Sequence, residues 1–311
     1  GEFASGFSFH AHEKFNFGFA LRLPFSKQSA DLYQNIGAAL TDPPGQNPFY
    51  GRVKNDLGGV GVPSLRFGFT IKPIKSINIS AMYRMASKIR LTGTTETSLF
   101  PGADPLVLNS EADWFIPHAI AFGLSWQVNV HMLWAFEARF QFHGAEKSGN
   151  QNQTVTATNP ATGDLVSEVV VPFGWENTWS AKVGFEYRFK KDLLAFRSGF
   201  NIAKSATNGA FAQYFTPPPG LSGNIAAGLG FYWDDRNNPE VKDKYRLDLA
   251  GAFAFTTGTI GDEYINGPPV NIPGTDQTIQ PCSTQQVVRT GCPGDYKVLT
   301  YWASMSFTLQ Y

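Results

Sequence analysis

From Trp179 the chain alternates strictly. Trp179, Ala181, Val183, Phe185 and Tyr187 share one parity, and Ser180, Lys182, Gly184, Glu186 and Arg188 share the other. A period of two is a strand with one apolar and one polar face. After the polar break Lys190-Lys191-Asp192 the pattern resumes, with Leu194, Phe196, Phe200 and Ile202 set against Arg197, Gly199 and Asn201. Two such strands about a short turn predict a hairpin. One face is large and aromatic while the other is charged or glycine. Lipid outside and water inside explain both faces, and the strands are long for a soluble sheet.

The same reading predicts eleven strands. They fall at 2–12, 15–25, 64–73, 76–90, 114–126 and 130–143, then the hairpin just described, then 222–233, 244–256 and 297–311. A further strand is allowed around Val166 to Val171. Links between the strands alternate in length. Short ones fall near 13, 74, 128, 191 and, somewhat longer, at 234–243; long ones cover 26–63, 91–113, 144–174, 203–221 and 257–296. Outer-membrane barrels have short periplasmic turns and long extracellular loops. The expected fold is therefore all-β, a transmembrane antiparallel β-barrel in one domain, 1–311.

Composition narrows the partners. Among 311 residues, 25 Lys and Arg balance 25 Asp and Glu, so no basic excess points to nucleic acid. Charged residues are only 16% and aromatics 14%, as a lipid-facing surface requires. No apolar run approaches the roughly 20 residues that a spanning helix needs. Spanning therefore falls to strands, which satisfy their backbone groups by closing on one another. Outer-membrane delivery also implies a leader, removed or upstream. Cys282 and Cys292 flank one short polar stretch within 257–296; they are either two free thiols or a disulfide, and an exposed loop in an oxidising compartment favours the bridge.

Several stretches resemble the FadL family of outer-membrane transporters for long-chain fatty acids and hydrocarbons. They are Ser76 to Gly93, with its Tyr83-Arg84 pair; Ile116-Pro117; Trp175 to Ser205, with Phe196-Arg197-Ser198-Gly199; Pro217-Pro218-Pro219; and the aromatic finish at Tyr311. The resemblance implies a fourteen-stranded barrel with an N-terminal plug, of which this chain would supply strands four to fourteen. It implies no enzyme activity and no cofactor. It also implies a monomer among outer-membrane lipid and lipopolysaccharide, with hydrophobic small molecules or fatty acids as its partners.

The family's capture groove would fall on 26–63 and 91–113. Leu32, Ile36 and Leu40 recur at helical spacing behind Ser29 as an N-cap, which predicts a short helix over 29–40. The expected groove residues are Leu32, Tyr33, Ile36, Leu40, Leu99, Phe100, Leu106 and Leu108. Their alternative role is to pack on the neighbouring loop. In the lumen, Arg84, Arg139, Lys182, Arg188 and Arg197 are candidates for a ligand carboxylate, against the alternative of a mutual ion-pair network filling the barrel. His10 and His12 lack further ligands for a metal. Alternative functions are a general porin for polar solutes or a surface barrel for adhesion or partner binding.

Overall fold

The computed structural model describes residues 1–35, 50–98, 104–145, 151–189, 193–212, 218–233, 245–262, 268–272, 276, 278–282 and 291–309. Its strands are β1 (Glu2–His12), β2 (Phe15–Asn35), β3 (Tyr50–Val60), β4 (Ser64–Ile74), β5 (Ile77–Arg84), β6 (Ser87–Ser98), β7 (Leu106–Ile116), β8 (Ala119–Asn129) and β9 (Met132–Gln141). They continue with β10 (Asn152–Thr158), β11 (Leu165–Pro172), β12 (Thr178–Arg188), β13 (Leu194–Lys204), β14 (Leu221–Trp233), β15 (Tyr245–Ile260), β16 (Val270–Asn271), β17 (Thr278–Ile279) and β18 (Gly294–Leu309).

Eleven of these strands form the membrane wall, in the order β1-β2-β4-β5-β8-β9-β12-β13-β14-β15-β18, every pairing antiparallel. They are the eleven that alternation predicts. The outward parity is apolar and open to its surroundings: Phe7 is 65% exposed, Phe122 53%, Ile225 54% and Met305 74%. A facing sheet would have buried these side chains, so the exposure assigns them to a lipid-contacting belt. Aromatic groups such as Trp233, Tyr245 and Phe307, with centroids 5.9 to 6.4 Å apart, gather near the short-turn end. Among the described residues β1 and β18 each pair on one side only.

The regions expected as loops are largely strand. β2 runs straight out of the wall and pairs over Phe25–Asn35 with Val60–Tyr50 of β3. β3, β6, β7, β10 and β11 then continue a second sheet beyond the membrane level. The helix expected over 29–40 is thus replaced by strand as far as Asn35, and 36–40 lie outside the described residues. The Leu spacing fitted a helical period, but pairing along a full-length partner strand overrides local propensity. The strand around Val166 to Val171 exists as β11, yet it stands in this outer sheet and not in the wall. The expected strands 76–90 and 114–126 are each split where the wall ends, at Met85-Ala86 and at Pro117-His118. Pro117 has no N–H to continue a ladder.

Leu57, Ile89, Leu91 and Ala112 form the buried core of the outer sheet, with Trp114, Ile116 and Val155 packed against it. Its other face carries exposed ion pairs, including Arg52 with Asp31 and Arg90 with Glu111. The Arg52 guanidinium holds the Asp31 carboxyl below its ordinary pKa. Gly93 permits a close approach of β3 to β6, because a Cβ there would collide with the Asp56 carbonyl. Farther along, Cys282 and Cys292 are disulfide-bonded. Gly291, beside the bridge, donates its backbone N–H to Ala212 O at 2.9 Å, tying this loop to the buried single turn of 3-10 helix at Gly209–Phe211.

Candidate functional site

The lumenal parity carries the polar chemistry, and register sorts it into two groups. At the short-turn end, Glu186 on β12 lies opposite Arg197 on β13, and Asp248 on β15 lies two strands farther on, across β14. Arg197 donates through Nε to Glu186 at 2.6 Å, through Nη1 to Asp248 at 2.7 Å and through Nη2 to the Tyr232 hydroxyl. Arg188 donates to Glu186 at 2.8 Å, and Arg246 is ion-paired with Asp248 at 2.5 Å. The Tyr232 ring lies at the centre, with Arg188, Arg197 and Arg246 at 5.8, 5.7 and 5.4 Å from its centroid. Each guanidinium here has a carboxylate and lies against the same aromatic ring.

The second group begins at the other end of the wall, where the strands leave the membrane, and reaches down to Glu137 and Lys182 in mid-wall, level with Gly123. Arg22, fully buried, and Arg66 share Glu2; Arg139 and Lys182 share Glu137. Arg84 lies directly opposite Arg66 and among the described residues donates only to neutral acceptors, Pro117 O at 3.2 Å and Gln141 Oε1 at 3.1 Å. The Nε atoms of Arg22, Arg66, Arg84 and Arg139 are buried without a hydrogen-bond partner among the described residues. Below them a cavity of about 580 Å³ opens on the lumen, lined by Gly6, Gly18, Gly68 and Gly123, with Arg66 and Arg139 on its border. That volume lies in the range of small-molecule sites. Glycine on the inward parity makes the room, and the aromatic bulk is on the outward parity.

Above this group is an aromatic cluster. Trp175 meets Trp114 at 5.5 Å and Phe173 at 5.2 Å, and His143 lies edge-on to Trp175 at 5.4 Å. Burial, with Arg84's charge adding to it, holds the His143 pKa down to about 4.

Of the lumenal residues expected from sequence, Arg84, Arg139 and Lys182 fall in the upper group, and Arg188 and Arg197 in the lower. Of the groove residues, Leu32 and Tyr33 are strand positions opposite Val53 and Arg52. Leu106 is exposed at the start of β7, and Leu108 is buried. Leu32 and Leu106 share one register row through Val53 and Thr97. The two expected walls are neighbours in one sheet, joined by the β3–β6 ladder. Ile36, Leu40, Leu99 and Phe100 lie outside the described residues. Arg22, Tyr232 and the pairing of His143 with Trp175 were not anticipated; parity alone places Arg22 inward, and that signal was available.

An apolar outer belt on eleven antiparallel strands, a charged inner face and hairpins extended beyond one end define a bacterial outer-membrane β-barrel protein. The chain matches the family of outer membrane protein transport proteins (OMPP1/FadL/TodX) over residues 2–255, and it belongs to that family. A Pseudomonas aeruginosa FadL homologue superposes with a TM-score of 0.69 at 16% identity, over 99% of this chain and 67% of that one. The CymD monoaromatic hydrocarbon channel gives 0.59 at 15%, over 80% and 66%. The Ralstonia pickettii toluene transporter TbuX gives 0.59 at 16%, over 79% and 60%. The chain thus spans roughly two thirds of the length of these structures, and the likeness is one of fold. No curated protein matches.

Proposed function

We propose that this protein lets hydrophobic compounds such as long-chain fatty acids or aromatic hydrocarbons cross the outer membrane passively, without chemistry or energy input. The observation that carries this reading is the glycine-lined lumenal cavity of about 580 Å³ inside the wall of a family of transport proteins. Capture would fall to the hairpins β2–β3 and β6–β7, which reach beyond the membrane and carry Leu106 at the edge of their ladder. Outer-leaflet lipid and lipopolysaccharide would lie against the phenylalanine belt.

The test is uptake by cells expressing this chain in place of their own hydrophobic-compound channel. Naphthalene should enter faster than into cells without it, and planar bilayers holding the purified protein should show little conductance. Open-pore conductance with unchanged naphthalene uptake would instead support a general porin.

A further inference from the structure

Charge and aromatic surface meet at the extracellular neck of the lumen in a way that transport of hydrocarbons alone leaves unused. Arg66 and Arg84 face each other across the β4–β5 ladder, where like charges repel. Among the described residues Arg22, Arg66, Arg84, Arg139 and Lys182 are set against Glu2 and Glu137, five cations for two carboxylates. Glu176, on the segment that leads into β12, is taken up by Lys204 at 2.6 Å and Asn208 at 2.9 Å.

Arg84 binds Gln141, and His143 lies two residues along β9 on the same parity, just past the end of the strand. Thr178 pairs with Gln141, so the segment that leads into β12 brings Trp175 beside His143. Arg84 Nε, His143 Nδ1 and Trp175 Nε1 are all buried and lack hydrogen-bond partners among the described residues. Buried polar atoms are normally satisfied, so the two obligate donors among them, Arg84 Nε and Trp175 Nε1, call for an acceptor, while His143 Nδ1 takes either role with its tautomer. Trp114, Phe173 and Trp175 supply the adjoining apolar wall.

We propose that this neck binds an aromatic carboxylate, its ring against Trp175 and Trp114 and its carboxylate on Arg84 and the Trp175 N–H. A guanidinium presents a planar fork that a carboxylate matches with two bonds, and indole edges favour another ring over a saturated chain. The proposal rests on the transport reading and names one substrate class within it. The cargo then includes anions whose charge is met at the entrance and whose ring passes on to the cavity below.

The experiment is calorimetric titration of the full chain, held in amphipol, with 2-naphthoate, naphthalene and dodecanoate. Arg84→Gln should weaken 2-naphthoate about tenfold or more, the loss of a charge-assisted hydrogen bond, and leave naphthalene unchanged. Trp175→Phe keeps a ring but removes the N–H, and should weaken 2-naphthoate about threefold; it carries the test alone if Arg84→Gln does not insert. Unchanged 2-naphthoate affinity in Trp175→Phe overturns the proposal, as does unchanged affinity in a folded Arg84→Gln. Dodecanoate bound as tightly as 2-naphthoate, with the same dependence on Arg84, overturns the aromatic assignment. Naphthalene uptake by cells reads the transport function separately: its persistence beside a failed naphthoate test removes this proposal only, and its absence removes the transport reading.

Discussion

The two ends of the lumen treat charge differently. Near the periplasmic turns, three arginines and two carboxylates close around Tyr232, and each guanidinium has an acid within hydrogen-bond or ion-pair distance. From the extracellular neck to mid-wall five cations share two acids among the described residues, and there Arg84 meets only amide oxygens. The first arrangement is self-sufficient, and its energy belongs to the fold. The second is left short of negative charge, which an unliganded fold has no structural use for. Because the two groups sit on the same wall with the same strand geometry, the difference reports function, and mutation should separate them.

The largest effect is expected in the closed lattice. Arg197→Met removes one guanidinium that serves Glu186, Asp248 and the Tyr232 hydroxyl together. Both acids have only 19% of their side-chain surface exposed. Glu186 keeps Arg188 and Asp248 keeps Arg246, but each loses a charge-assisted hydrogen bond in a largely buried place, and the two losses together cost about 3 kcal/mol or more. Urea unfolding of the protein in lipid vesicles should show that loss while 2-naphthoate affinity stays put. A stability change under about 1 kcal/mol would mean that the lattice is not the structural half of the comparison.

The wall was legible in the chain because period two leaves no choice of face. Phe17, Phe69 and Phe136 had to point outward once their neighbours were Gly18, Gly68 and Glu137. The outer sheet was not legible. Its strands mix Thr, Ser, Asn and charge, and Leu32, Ile36 and Leu40 mimic a helical stripe, so only the ladder to β3 decides the state of Leu32. The lumenal arginines were readable one at a time as inward residues. Their sorting was not, because it depends on register between strands far apart in sequence: Arg84 against Arg66, Thr178 against Gln141, Arg197 against both Glu186 and Gly228. Tyr232 could not be singled out, since it is the partners on β12, β13 and β15 that give its ring a role.

His143 sharpens the comparison through pH. Its imidazole is held neutral by burial and by Arg84, with a folded pKa of about 4, against an unfolded value of about 6.5. Between those values the unfolded chain binds more protons than the folded one, so stability is full above about pH 6.5 and falls as the pH drops toward 4. The whole shift is worth at most about 3 kcal/mol, and less after screening at a partly exposed ring. The check is the urea midpoint at pH 7.5, 6, 5 and 4.5, with indole fluorescence as the probe. His143→Phe should flatten the slope over this window, and a slope equal to that of the parent chain would assign the acid sensitivity elsewhere.

The smallest expected change in stability is also the most discriminating. Arg84→Gln removes a cation that stands opposite Arg66 and has no acid of its own among the described residues, while a glutamine can still reach toward Gln141. In a self-contained network, losing a charged hydrogen-bonding residue is destabilising, as Arg197→Met should be. In a network with surplus positive charge the loss relieves a cross-strand repulsion of about 0.5 kcal/mol, so the urea midpoint should hold or rise slightly. Carrying out both substitutions in one preparation cancels differences in lipid and refolding yield. A fall at Arg84 as large as that at Arg197 would mean that the neck is a structural lattice like the other end, and the contrast between the two halves of the lumen would be lost.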